Sequence, residues 1–228
     1  LHRTYPGLRL YVREDLPAGL PGALEDGALD VIITPLPVRG ADIVTTPLFR
    51  EPLYLATASD HPLAMSENVT RERLAGQDVL ALGPGHQLHD VAIGLCEELG
   101  ARLRRDYEGT SLDTLREMVA MGLGITFLPG LYVRSVAARD ASVATMEIQG
   151  RSVYRTVGMA WRRTSARQHD YRLFAQRIRA VVARDLDGIA VLEQGCGAVS
   201  RVRRRRARPR RHRRRPRRCG RRRPAARR

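Results

Sequence analysis

Apolar positions along this chain repeat first at two-residue and then at helical spacing, and the two patterns alternate. Arg9-Leu10-Tyr11-Val12-Arg13 alternates and predicts a short strand. Leu16, Leu20 and Leu24 follow at helical spacing and stop at Gly27. Pro21 fits that helix only if the stretch from Pro17 to Gly22 is an irregular first turn, because proline inside a helix costs about 3 kcal/mol. The segments Asp30–Thr34, Leu53–Ala58 and Val79–Leu82 are apolar strands. The last of these runs straight into Gly83-Pro84-Gly85.

After that turn Leu88, Val91, Ala92, Leu95, Cys96 and Leu99 fall on one face of a helix that Gly100 terminates. Thr110-Ser111-Leu112-Asp113 reads as a capped start. The helix behind it carries Leu112, Leu115, Met118 and Val119 on its apolar stripe and ends at Gly122. Gly124–Pro129 and Thr156–Trp161 are further strands, and Tyr171, Phe174, Ile178, Val181 and Val182 mark a long final helix. Strands alternating with helices at this spacing argue for an α/β fold with largely parallel sheets. From about Gly195 onward the periodicity gives way to low complexity.

Charge changes the picture only at the end. All 40 basic residues are Arg, and eighteen of them lie in residues 201–228, which hold no acid. Residues 1–198 carry 22 Arg against 24 acids, a net of −2, so the overall +16 describes the tail. A tail of that composition is expected to be disordered by self-repulsion. It reads either as an arm for non-specific nucleic-acid contact, with many phosphate counterions to release, or as out-of-frame translation of a GC-rich gene. It has no aromatic residue on which bases could stack.

Three cysteines (Cys96, Cys196 and Cys219) give neither a disulfide framework nor metal-ligand spacing, and a reducing compartment is expected. No apolar run of about 18 residues predicts a membrane span. The chain starts at Leu1 without a signal-peptide pattern and is read as a fragment. No P-loop, metal cluster or paired carboxylate points to an enzyme, and no cofactor is expected.

Candidate chemistry gathers at Gly85-His86-Gln87. Backbone N–H groups at a helix start can hold a carboxylate, a peroxide or a water; the same residues also serve as an ordinary polar cap. Thr34-Pro35 at a strand end is a ligand contact or a plain turn. Thr110 and Ser111 are caps that could also touch a ligand. Cys96 is a weak redox candidate, because it lies on an apolar stripe and a peroxidatic thiolate needs a positive, partly exposed setting.

Several short pieces then occur in a recognisable order. They are Tyr5-Pro6-x-Leu8-x-Leu10, Leu24-x-x-Gly27-x-Leu29-Asp30, Pro47-Leu48-Phe49-x-Glu51-Pro52-Leu53 and Asp60-His61-Pro62-Leu63-Ala64. Thr110-Ser111-Leu112-x-Thr114-Leu115-x-x-Met118 and Gly122-x-Gly124-Ile125-Thr126-x-Leu128-Pro129 follow. The ordered set resembles the effector-binding domain of LysR-type transcriptional regulators, up to about residue 186. The fit around Thr110–Met118 and Gly85–Cys96 resembles its peroxide-sensing, OxyR-like branch. In that branch a reactive cysteine follows Gly-His, with a partner cysteine nine residues later. Here the reactive position is Gln87 and the partner position is Cys96.

The resemblance implies two Rossmann-like subdomains of the type 2 periplasmic-binding-protein kind, one at 1–49 plus 156–187 and the other at 50–155, with the tail at 195–228. A small effector would bind between them at Thr34, Pro35, Gly85, His86, Gln87, Thr110, Ser111, Phe127 and Pro129. It further implies a cytoplasmic homo-oligomer, dimer or tetramer, that meets DNA through a helix-turn-helix not contained in this chain. Gln87 in place of the reactive cysteine predicts a ligand-gated sensor and not a thiol switch. The rival readings are a stand-alone solute-binding protein of the periplasmic type and a nucleic-acid binder acting through residues 201–228.

Overall fold

A computed structural model describes residues 7–192. The Arg-rich tail, Cys196 and Cys219 lie outside the described residues. In chain order the elements are α1 (Leu20–Glu25), β1 (Val31–Pro35), β2 (Ile43–Ala58), α2 (Arg71–Leu74), β3 (Asp78–Leu82) and α3 (Gln87–Leu99). Then come β4 (Arg102–Gly109), α4 (Leu112–Ala120), β5 (Thr126–Pro129), α5 (Gly130–Ser135), β6 (Val143–Met146), β7 (Val153–Arg162), α6 (Gln168–Asp185) and β8 (Ala190–Val191).

The sixteen residues of β2 form the spine of the molecule. Its first part pairs antiparallel with β7 from Ile43 to Leu53, and β7 in turn carries β1 on its far side. Its last part pairs with β5 and β6. The register slips between Pro47 and Phe49. A bulge suits that place, since proline has no N–H to give a ladder. Arg179 of α6, 8% exposed, fastens the bulge by donating from Nε to the Pro47 carbonyl at 3.1 Å and from Nη2 to Thr46 Oγ1 at 2.7 Å.

Two sets of core side chains flank the spine. Leu48, Phe49, Met159, Trp161 and Tyr171 pack together, next to Leu24, Ile32 and Ala160. Beyond Leu53, Leu80, Leu88, Leu115 and Leu128 form one cluster and Leu55, Leu95, Cys96 and Phe127 another.

Glu51 lies between these sets with 0% exposure. It faces Arg155 across the β2–β7 ladder. One carboxylate oxygen accepts from Arg155 Nε at 2.7 Å and the other from the Leu131 backbone N–H at 2.9 Å, in the first turn of α5. A carboxylate removed from water costs several kcal/mol, and these charge-assisted bonds offset that cost.

The helices follow the sequence pattern. Leu88, Ala92, Leu95, Cys96 and Leu99 are the buried residues of α3, which ends at Gly100 in the left-handed region, φ 70°. Ser111 caps α4 by accepting from the Thr114 N–H at 3.2 Å. Pro21 occupies the second position of α1, within the first turn where a missing N–H costs nothing.

Three expectations need correction. Arg9–Arg13 is not a strand: β1 pairs with β7 alone, so no ladder is offered to this segment, and Tyr11 and Val12 are 90% and 84% exposed. The large sheet is antiparallel, because β2 and β7 run in opposite directions; among the described residues parallel pairing is confined to β3–β4 and the isolated bridges Val79–Ile125 and Val69–Ile148. On α6, Val181 is 48% exposed, while Arg179 takes an inward position to reach the bulge.

Replacing Glu51 by Leu strands the Arg155 guanidinium and the Leu131 N–H. Because Arg155 keeps some contact with water, the expected loss is about 2–3 kcal/mol, toward the lower end for a broken buried pair. Urea unfolding followed by Trp161 fluorescence measures it, and the E51L/R155L double variant recovers part of the loss.

Candidate functional site

The end of β3 sets the site. The Gly83 N–H donates to the Gly109 carbonyl at 3.0 Å, so the turn after β3 lies beside the turn after β4. Gly85 has φ +96°, a region open to glycine and strained for other residues, and it turns the chain into α3. His86 is the N-cap residue, but its side chain makes no capping bond. His89 Nδ1 lies 2.7 Å from the Leu82 carbonyl. A carbonyl only accepts, so Nδ1 carries the proton.

Two bonds tie this turn to the first part of the chain. The Ala18 N–H donates to the Gly85 carbonyl at 3.3 Å. Gln87 Nε2 donates to the Leu36 carbonyl, 51 residues away. Because that carbonyl accepts only, the carboxamide orientation is fixed and Oε1 points the other way. There it is buried without a hydrogen-bond partner, a state that costs about 1–3 kcal/mol. Leu36 continues β1, and its own N–H donates to the Thr156 carbonyl at 2.8 Å. Thr34, 5% exposed, and Pro35 precede it, paired with Gly158 and Val157.

The Gln87–Leu36 bond therefore sets the Gly85-His86-Gln87 turn beside the segment that carries Thr34 and Pro35. Thr110 and Ser111 are exposed and follow β4, adjacent to Gly83 through Gly109. Phe127 and Pro129 are buried. Phe127, 2% exposed, packs in the cluster of Leu55 and Cys96, and its side chain offers nothing to a ligand. Pro129 pairs with Leu53 and leads into α5.

Cys96 is 5% exposed in that same cluster. Burial, aided by the nearby Glu97 charge, pushes its thiol up from 9.0 to about 11. At pH 7 its thiolate fraction is on the order of one in ten thousand. Nine residues of intact helix separate positions 87 and 96 by about 13 Å, far beyond disulfide reach.

Two surface concavities are found among the described residues. One of about 470 Å³ is lined by residues 66–69 and 146–152. Another of about 320 Å³ adjoins the turn before α3 and is lined by Leu82, Pro84, His89, Arg104, Arg105 and Tyr107 among others. Neither is lined by Thr34 or Gln87. Among the described residues no group of three or more potential metal ligands gathers, and no helix is long and apolar enough to cross a membrane.

Sequence reasoning missed Ala18, Leu36 and the pair Glu51–Arg155. The first two act through backbone atoms, which leave no side-chain signature. Glu51 had a signal, a single acid inside the apolar run Leu48–Leu55.

The LysR substrate binding domain family matches residues 1–183. The chain belongs to that family. The DNA-binding transcriptional dual regulator OxyR of Escherichia coli K12 is 41% identical over 180 residues, 79% of this chain and 59% of that protein. A probable hydrogen peroxide-inducible genes activator of Streptomyces viridosporus is 33% identical over 187 residues, 82% of this chain and 60% of that protein. The chain thus spans about three fifths of the length of these relatives.

Among solved structures, the oxidised form of OxyR shares 38% identity with a TM-score of 0.72, covering 82% of this chain and 87% of that one. The reduced OxyR regulatory domain of Pseudomonas aeruginosa shares 34% with a TM-score of 0.68, covering 78% and 86%. This LysR-family chain is a regulatory, effector-binding domain of the OxyR-like kind, with the α/β fold of periplasmic binding proteins. Its named relatives are transcription regulators. The family match favours this reading over a solute-binding protein or a tail-driven nucleic-acid binder.

A buried, protonated thiol predicts that Cys96 resists a disulfide reagent at pH 8 in the native protein and reacts fully in urea. Mass spectrometry of the Cys96 peptide distinguishes it from the cysteines at 196 and 219. The thiol's folded-state pKa is raised, so its stabilising contribution is complete below pH 9 and is lost as pH climbs toward 11.

Proposed function

We propose that this domain senses a small molecule bound between two halves, residues 1–49 plus 156–187 and residues 50–155, and that it is gated by ligand and not by thiol oxidation. The observation that carries the reading is Gln87. It stands at the first helical position of α3 and bonds across to the end of β1, in the place where the OxyR-like branch has its reactive cysteine. The one sulfur at these two positions, Cys96, is buried and protonated.

Thr34, Pro35, Gly85, His86, Gln87, Thr110 and Ser111 form the binding surface, with Pro129 in the wall behind. The separate core clusters on either side of Glu51 support the division into halves. A ligand that binds one arrangement of the halves better than the other shifts the population toward it. In the whole regulator, a cytoplasmic dimer or tetramer, this shift would alter how helix-turn-helix heads outside the present sequence meet DNA. No cofactor takes part.

Thermal unfolding against a panel of small carboxylates, alcohols, amides and amino acids tests the reading. At about a hundred times its dissociation constant, a true effector raises the melting temperature by about 5 °C or more, and Thr34→Val weakens the effect. Hydrogen peroxide changes nothing. A peroxide-induced shift that vanishes in Cys96→Ser would overturn the proposal in favour of a thiol switch.

A further inference from the structure

The Gln87 contact points beyond ligand binding. We propose that Gln87 is a clasp which holds the two halves together at rest, and that an effector works by drawing its carboxamide off the Leu36 carbonyl. The proposal rests on the reading of two halves that move.

The clasp is visible as two bonds from one turn. Gln87 Nε2 reaches the Leu36 carbonyl, and the Gly85 carbonyl receives the Ala18 N–H at 3.3 Å. Gly85 and Gln87 belong to the half that contains α3; Leu36 and Ala18 belong to the half that contains β1. Ala18 also stands against Gly85 itself, its Cβ 3.7 Å from where a side chain at 85 would begin. A side chain at 85 would meet Ala18 in ordinary contact, and the backbone at φ +96° is what would strain it.

The clasp is incomplete by construction. The same carboxamide that closes it leaves Oε1 buried with no partner. Water would satisfy that oxygen if the amide swung out, so closure carries a built-in penalty. An effector that carries an acceptor to take the Nε2–H from the Leu36 carbonyl, and a donor (a hydroxyl, an amide N–H or an ammonium) to satisfy Oε1, favours the released arrangement. A cysteine at 87 could not form this bridge, because a thiol is a weak donor with a shorter reach. Gln87 thus replaces a chemical trigger with a mechanical one.

Amide hydrogen exchange followed by NMR tests the clasp without any effector. In the wild-type chain the Ala18 N–H is protected and the Gln87 side-chain amide exchanges more slowly than that of Gln176, which is exposed on α6. In Gln87→Met, which keeps the bulk and removes the donor, Ala18 exchange rises about fivefold or more. In Gln87→Glu at pH 8 it rises further, since a carboxylate repels the Leu36 carbonyl. The Leu80 N–H, which donates to the Ile125 carbonyl at 2.8 Å within the core, exchanges as before and shows that the fold is intact.

Ala18 exchange within about twofold of wild type in both variants overturns the clasp. If the variants do not fold, the unmutated protein decides: a Gln87 side-chain amide that exchanges as freely as Gln176 also overturns it. Neither outcome touches the melting-temperature test above, since a compound can stabilise the domain whether or not Gln87 bridges.

Discussion

Glu51 is a carboxylate with no access to water, and its two bonds fix the geometry on which the remainder depends. One bond crosses to β7 through Arg155 and the other crosses to the first turn of α5 through the Leu131 N–H. Burying such a group is costly, so the position tolerates little freedom: either both partners are in place or the charge is stranded. The crossing of β2 and β7 is thereby held at one point, just where the core changes from the Leu48–Trp161 set to the Leu53–Leu128 set. Arg179 secures the same strand a few residues earlier, at the bulge beside Pro47. Two buried charged side chains, Glu51 on β2 and Arg179 reaching it from α6, make a joint that resists sliding.

With the crossing fixed, the ends of β1 and β3 are brought close enough for a side chain to span them. Gln87 does so, and the chemistry there follows from its carboxamide. A carboxamide carries a strong donor and a strong acceptor on separate atoms, so it can hold one neighbour while the other atom is left wanting; a thiol is weak in both roles and has them on one sulfur. The same α3 that presents Gln87 buries Cys96 on its inner face, so the features that build the clasp also silence the sulfur.

Much of this was legible in the sequence, and the exceptions have physical causes. The stripe of α3, the Gly100 stop and the Ser111 cap are local rules, and all three appear as expected. The family came through in ordered short motifs. Arg9–Arg13 failed because alternation describes a strand's faces and not whether a neighbouring strand exists to pair with it. β4, with Arg102, Arg104, Arg105, Asp106 and Glu108 in eight residues, gave no apolar signal because most of it is exposed. Around Gln87 the sequence located the turn but not its partners, since backbone groups such as the Leu36 carbonyl and the Ala18 N–H have no letter of their own. Phe127 was drawn to the site by the family pattern and belongs to the core.

The central claim is gating by ligand and not by thiol oxidation: with Gln at 87 no disulfide to Cys96 can form, so peroxide gives α3 no cause to unwind. Hydrogen exchange across residues 88–99, compared with and without a tenfold excess of hydrogen peroxide, tests it most directly. The account predicts unchanged protection along the whole helix. Peroxide-dependent loss of protection in this segment would contradict it and return Cys96 to the centre of the mechanism.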